Sequence, residues 1–212
     1  MNCLLIFDLD GTLWNSSEQV AESWNVILNQ YAPQLPPFTG ADIRSVMGRT
    51  MDEIADLLLS DKDIPDRRAL FARCEEYEVE YISEYGGVLY PGVEETIRKL
   101  HQKGYKMSVV SNCQRGYVGA FFTSMDLGKY FCDLEEWGNT GLLKADNIRL
   151  VMERNHFEKA VYIGDTAGDE ASAHEAGIPF IHASYGFGSA VSPEAVIDSF
   201  GDLPEVLSRI TA

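Results

Sequence analysis

The stretch Leu4-Leu5-Ile6-Phe7-Asp8-Leu9-Asp10-Gly11-Thr12 decides how this chain folds. Four apolar residues read as a buried strand, and two carboxylates follow at its exit. Side chains two residues apart on an extended backbone point the same way, roughly 6 to 7 Å apart along the strand, so Asp8 and Asp10 can straddle one reacting group. One can attack while the other moves a proton. Two partly buried like charges repel, and neither ionises easily without a cation. The pattern asks for a metal.

Working outward, short β-rich apolar runs recur at 106–111, 160–164 and 179–182. Amphipathic helical patterns over 93–103, 117–125, 146–155, 170–176 and 203–210 lie between and after them. Such alternation predicts an α/β fold with a parallel sheet flanked by helices, right-handed connections, and ligands beyond the carboxyl ends of the strands. The gap between the first strand and the one starting near Lys106 is far longer than one crossover helix needs. Helical patterns over 17–31, 51–60 and 65–85 fill it, broken by the Pro33 to Pro37 cluster and by residues 60–65. The expected division is a core at 1–14 and 86–212 and an inserted helical cap at 15–85. Gly86-Gly87 and Pro91-Gly92 return the chain to the sheet and suit a hinge.

The 212 residues are 45% apolar and 24% charged, the balance of a globular fold. Thirty-three acidic against 17 basic residues leave a net charge of -16, a field that repels nucleic acid and anionic membrane. No apolar run approaches membrane-spanning length, and the segment from Cys3 to Phe7 is too short for a signal sequence. The expected setting is the cytoplasm, with a small phosphorylated metabolite as partner, no nucleic acid, no membrane, and a monomer or homodimer. Cys3, Cys74, Cys113 and Cys132 lack Cys-x-x-Cys spacing and read as reduced thiols, with nothing marking Cys113 as a nucleophile. His101, His156, His174 and His182 form no spaced cluster.

A second acidic cluster, Gly164-Asp165-Thr166-Ala167-Gly168-Asp169-Glu170, follows the strand Ala160-Val161-Tyr162-Ile163. Strand exits of a parallel sheet open on one rim, so Asp165 and Asp169 can converge with Asp8 and Asp10. Four carboxylates in one cleft need a divalent ion, and oxygen-only ligands favour magnesium over zinc or copper. At a third exit, Val109-Val110-Ser111-Asn112 ends in a hydroxyl and an amide, neutral donors suited to phosphoryl oxygens. Lys144 supplies a point charge that can steady a carboxylate nucleophile and a transferring phosphoryl group. For Asp169, the alternative role is a first-turn acid complementing a helix dipole.

In this order the motifs resemble those of the haloacid dehalogenase (HAD) superfamily. Asp8-x-Asp10-Gly11-Thr12 matches its first motif, Ser111-Asn112 the second, Lys144 the third, and Asp165 with Asp169 the fourth. An insert between the first motif and the second strand resembles the C1-type cap. The resemblance implies a Rossmann-like core and a phosphoglycolate phosphatase-like hydrolase. Asp8 would form an aspartyl-phosphate, and Asp10 would protonate the leaving oxygen and later activate water. Mg2+ would be held by Asp8, the Asp10 backbone carbonyl and Asp165, with Asp169 as ligand or support. Gly11, Thr12, Ser111 and Asn112 would surround the phosphoryl group. Asp10 argues against dehalogenation, because halide leaves without a proton. Many relatives follow the lysine with proline, whereas Ala145-Asp146 follows Lys144 here, and Lys129 is the alternative.

Arg49, in Met47-Gly48-Arg49-Thr50, can bind a substrate carboxylate or second phosphate if its turn faces the cleft, and is otherwise a surface arginine. Trp14 is expected at the joint of core and cap, with substrate contact as the alternative. A sugar-phosphate mutase of the β-phosphoglucomutase type, an inorganic pyrophosphatase and an inactive phospho-ligand-binding protein are the other functional readings.

Overall fold

In the computed structural model, residues 3–60 and 64–210 are described. The chain runs through β1 (Leu4–Phe7), β2 (Trp14–Asn15), α1 (Ser17–Tyr31), α2 (Gly40–Arg44), α3 (Met51–Leu59), α4 (Arg67–Tyr85) and β3 (Val88–Leu89). It continues through α5 (Val93–Gln102), β4 (Lys106–Ser111), α6 (Tyr117–Met125), β5 (Asp133–Glu136), α7 (Trp137–Thr140), α8 (Lys144–Arg154) and β6 (Ala160–Gly164). The last elements are α9 (Ala167–Ala176), β7 (Phe180–Ala183), β8 (Ala195–Ile197) and α10 (Leu203–Ile210).

Six strands form one parallel sheet in the order β5-β4-β1-β6-β7-β8. β1 lies inside it, with Leu4 opposite Lys106 and Ala160, and Phe7 opposite Val109 and Ile163. A strand covered on both faces has no solvated side, which is why its sequence is continuously apolar rather than alternating. Leu5 and Phe7 join one core layer with Ile97 of α5, Phe121 of α6 and Leu207 of α10. Leu4 and Ile6 join the opposite layer with Ile148 and Val151 of α8 and Ala173 of α9. This is the expected α/β, Rossmann-like arrangement of helices on both faces of a parallel sheet.

Helices α1 to α4 fill the long gap, α1, α3 and α4 near the three expected spans and α2 in addition, with α1 packed on α4 and α2, and α3 packed on α4. Trp24 of α1 centres this insert, its ring edge-on to Phe38 at 6.0 Å and to Phe71 at 5.1 Å. The chain enters and leaves the insert through an antiparallel ribbon, with Trp14 opposite Leu89 and Asn15 opposite Val88. α4 also lies along α6, which ties the insert to the sheet layer. Trp14 is buried against Tyr117 and Phe121, so it packs at the joint as expected. No described helix is long and apolar enough to cross a membrane.

The elements absent from the sequence reading are α2, α7 and the four strands β2, β3, β5 and β8. β5 carries Asp-Leu-Glu-Glu, which reads as a solvated loop, yet Glu135 and Glu136 are buried. Arg154 and the amides of α6 account for this. Arg154 meets Asp133 and Glu135 at 2.6 Å each, and Val118 N donates to Glu136 at 2.9 Å. α8 begins at Lys144 rather than 146, because extended Leu143 provides its N-terminal boundary. α9 begins at Ala167 rather than 170, capped by Thr166, whose side chain accepts from the Asp169 amide. Of the expected break at 60–65, residues 61–63 lie outside the described residues.

Truncating Leu5, fully buried in the central strand, to alanine leaves a cavity that the paired neighbours cannot collapse into. We expect Leu5→Ala to destabilise the fold by about 2–5 kcal/mol. Urea unfolding would show this as a lower midpoint at an unchanged slope.

Candidate active site

Parallel registry places the site. Since Phe7 pairs with both Val109 and Ile163, the residues that follow these positions emerge together at one rim of the sheet. Asp8 therefore stands near Asp165 although 157 residues separate them, and β4 delivers Ser111 beside them. One carboxylate oxygen from each of Asp8, Asp165 and Asp169 lies within 4.8 Å of the others. All three residues are buried.

Lys144, the first residue of α8, reaches into this group from below the rim. Its Nζ donates to Asp8 Oδ1 at 2.9 Å and to Asp169 Oδ1 at 2.6 Å, and the lysine is only 4% exposed. Burial alone would lower its pKa, but Asp169 and Asp8 outweigh that and hold it well above the usual lysine range. The other oxygen of Asp169 accepts from Thr166 N at 3.0 Å and Thr166 Oγ1 at 2.7 Å. Asp169 thus holds Lys144 with one oxygen and joins the cap of α9 with the other. Lys129, the alternative lysine, lies at an exposed position paired with Asp126.

Asp165 sits in a cradle of backbone. Phe187 N donates to its Oδ2 at 2.7 Å, and Thr12 Oγ1 approaches its Oδ1 at 3.4 Å. Gly11 has φ +90°, and a Cβ there would stand 2.2 Å from Asp165 Oδ2. A Cβ at Gly186 would fall 2.3 Å from Asp165 Cβ, so both glycines are required by close approach. The structure consequently sets Gly11 and Thr12 against Asp165. The loop after β7 was not singled out in the sequence; its signal is Tyr185-Gly186-Phe187-Gly188, a pair of spaced glycines at a fourth strand exit.

Asp10 turns away from the other three acids. Ser16 Oγ donates to its Oδ1 at 2.5 Å, and Tyr117 OH lies 2.8 Å from Ser16 Oγ and 3.3 Å from the same carboxyl oxygen. Ser16 and Tyr117 escaped the sequence reading, since a serine before a helix and a tyrosine in α6 carry no mark of an active site. The side chain of Asp10 is aimed by these two hydroxyls, one from each side of the joint between insert and core.

A cavity of about 40 Å³ opens beside Asp8 and Asp10, between the rim and the helical insert. Ser111, Asn112 and Arg49 line it. Asn112 Nδ2 donates to Gly48 O at 2.9 Å, linking the second strand exit to the turn that carries Arg49. Arg49 is exposed, and it is the one cation among the described residues lining the cavity. The insert's Glu78 and the core's Gln114 also border the space, and neither was foreseen.

Without a cation this site is poorly balanced. Burial pushes the Asp8 carboxyl up to about 6 against the pull of Lys144. Burial pushes Asp10 up to about 7 despite its bond from Ser16. Burial, reinforced by Asp169 and then Asp8, pushes Asp165 up to about 8. One lysine faces four buried carboxylates, and the donor set consists of oxygens alone. These residues fit a small, hard divalent ion, whose charge would return the acids to their ionised forms. Burial raises the Cys113 thiol well above its ordinary value, so it is no nucleophile.

A family model described as haloacid dehalogenase-like hydrolase matches residues 5–183, which is most of the chain. The chain belongs to the haloacid dehalogenase-like hydrolases. A phosphoglycolate phosphatase of Salmonella typhimurium is 28% identical over 227 residues, covering 93% of this chain and 89% of the relative. A haloacid dehalogenase-like family hydrolase from Streptococcus pneumoniae shares the fold with a TM-score of 0.79 at 21% identity, covering 98% of this chain and 97% of that one. CbbY from Rhodobacter sphaeroides, solved in complex with phosphate, superposes with a TM-score of 0.78 at 20% identity, covering 96% of both chains. The family makes this chain a hydrolase, and the curated relatives it resembles are named as phosphatases.

Tyr117→Phe removes a hydroxyl that holds Ser16 and Asp10 in place without disturbing the ring packing against Trp14. We expect kcat to fall about tenfold with KM little changed, as measured by phosphate release, because one buried hydrogen bond to an oriented acid is lost.

Proposed function

We propose that this hydrolase is a Mg2+-dependent phosphatase that cleaves a small phosphomonoester through an aspartyl-phosphate on Asp8. The supporting observation is the Asp8–Lys144–Asp169 array buried beside Asp165, whose Asp8 lines a small cavity together with Asp10.

In the first half-reaction an Asp8 carboxylate oxygen attacks phosphorus, and the bond from phosphorus to the ester oxygen breaks. Asp10 gives its proton to the departing oxygen, releasing the alcohol. In the second, water attacks the phosphorus of the acyl phosphate while Asp10 takes its proton back, and inorganic phosphate leaves with Asp8 restored. Lys144 holds the Asp8 oxygen in place and neutralises charge at the phosphoryl group. Asp169 positions Lys144. Ser111 and Asn112 offer donors to the phosphoryl oxygens, Gly11 and Thr12 shape the first turn around Asp165, and Arg49 at the mouth draws the dianion in.

The Asp8 and Asp165 carboxylates and the Asp10 carbonyl would hold Mg2+, with Asp169 beside them. When bound, the ion supplies positive charge that stabilises the phosphoryl group during transfer. The cavity holds roughly three water molecules at about 15 Å³ each, which restricts the closed form to small leaving groups. The relative from Salmonella typhimurium carries the name phosphoglycolate phosphatase, and we infer the same type of reaction here. Cysteines that are all free suit the cytoplasm.

Asp8→Asn is expected to abolish phosphate release from a panel of phosphorylated metabolites supplied with Mg2+. Release equal to the parent's would remove the nucleophile assignment, and a parent that binds phosphate analogues yet releases nothing would be a binding protein. Independently, Mg2+ at a hundredfold excess over its Kd should stabilise the fold by about 2.7 kcal/mol. Thermal unfolding should show this gain in the parent and its loss in Asp165→Asn.

A further inference from the structure

α6 begins without a cap of its own. Gly116, at its N-terminal boundary, has no side chain to offer and sits at φ +92°, so the first amides of the helix need an acceptor from elsewhere. Glu136, the last residue of β5, supplies it across the fold. Gly116 N donates to its Oε1, Val118 N donates to its Oε2 at 2.9 Å, and Cys113 Sγ lies 3.7 Å from the same Oε2. The carboxylate is buried at the positive end of the helix dipole, where its charge strengthens both amide bonds. α7 follows at once and completes the support. Gly138 N donates to Cys113 O at 3.1 Å, and a Cβ on Gly138 would collide with Arg115 N, so the α7 backbone lies directly against the turn that leads into α6.

Tyr117 stands between the two amides that Glu136 holds. One side chain thereby fixes the backbone on both sides of this tyrosine. Its ring runs past Trp14 and brings the hydroxyl to 2.8 Å from Ser16 Oγ and 3.3 Å from Asp10 Oδ1. The contact with Asp10 is already beyond the usual O–H···O length, so a small shift in the start of α6 breaks it. Glu136 is not among the described residues lining the cavity. Its effect on the reaction therefore passes through the residues it holds.

We propose that Glu136 is a positioning residue for the proton transfer at this site: by fixing the first turn of α6 it aims Tyr117, and through Tyr117 the carboxyl of Asp10. The inference rests on the phosphatase reading above, in which Asp10 protonates the departing oxygen.

Two phosphates of like size separate the aiming of a proton donor from general damage. Ethyl phosphate must receive a proton as its alkoxide departs, whereas acetyl phosphate releases acetate without one. Both are assayed with Mg2+ for kcat/KM, which reports the events up to release of the first product. Glu136→Gln, which exchanges one acceptor oxygen for an amide donor, is expected to lower kcat/KM about tenfold on ethyl phosphate and less than about threefold on acetyl phosphate. Tyr117→Phe should show the same split. The double variant should fall no further than the lower of the two single variants, because the residues act along one line. A double variant lowered about a hundredfold on ethyl phosphate means independent routes and overturns the proposal. Equal losses on both substrates, or full activity in Glu136→Gln, overturn it as well. If Glu136→Gln fails to fold, Glu136→Asp, which keeps the charge but draws it back from α6 by one methylene, carries the same comparisons. Asp8→Asn run alongside keeps the two readings apart. Release that depends on Asp8 but fails these comparisons removes the role of Glu136 alone, and absence of Asp8-dependent release from either substrate removes the phosphatase reading and the proposal with it.

Discussion

A single buried ammonium group, Lys144 Nζ, holds two carboxylates that would otherwise repel each other at the floor of the cleft. Everything at the rim is arranged around that contact. α8 starts at Lys144, whose Nζ meets Asp8 and Asp169, and the cap of α9 includes the same Asp169 that grips the lysine. Removing the lysine would leave two buried carboxylates facing each other without a counter-charge, a costly defect in a protein interior. The lysine also leaves the site short of positive charge, since four carboxylates face it. The deficit makes the cluster receptive to a divalent cation.

The helical insert contributes in a different way. Its entrance and exit are paired backbone to backbone in the β2–β3 ribbon, so it is fastened at one narrow neck and otherwise rests on α6 and on the contact of Asn112 with Gly48. Tyr117 and Ser16 sit on either side of that neck and share Asp10 between them. The orientation of Asp10 therefore depends on how the insert is seated. Trp24 and Glu78, whose contact lies inside the insert, carry its polar interior to the wall of the cavity. With the insert seated on the core, residues of both line one cavity.

Much of the architecture was legible from the chain. β1, β4 and β6 are continuous apolar runs because both faces of the sheet are covered, and such runs announce themselves. The gap before β4 was too long for one crossover, which exposed the insert. Edge elements escaped. β5 reads as a polar loop because its acids are neutralised by Arg154 and by the amides of α6, partners that its own sequence does not display. β2 and β3 are two residues each and exist only because the neck of the insert brings them side by side.

For the site, the sequence by itself determined which acids stand at strand exits, because the period of an extended chain and the one-sided opening of a parallel sheet leave little freedom in where Asp8, Asp10, Asp165 and Asp169 emerge. It offered Lys144 as the lysine with Lys129 as the alternative, and the fold chose between them, since Lys144 Nζ meets Asp8 and Asp169 whereas Lys129 pairs with Asp126 at the surface. Only the tertiary structure decided that Asp10 points to Ser16 and Tyr117, that Gly11 and Gly186 close on Asp165, and that Glu78 and Gln114 border one cavity with Asp8 and Asp10. These relations join side chains far apart in the sequence, through helix packing that no local pattern encodes. Their energies come from burial and partner geometry, which exist only once the chain has folded.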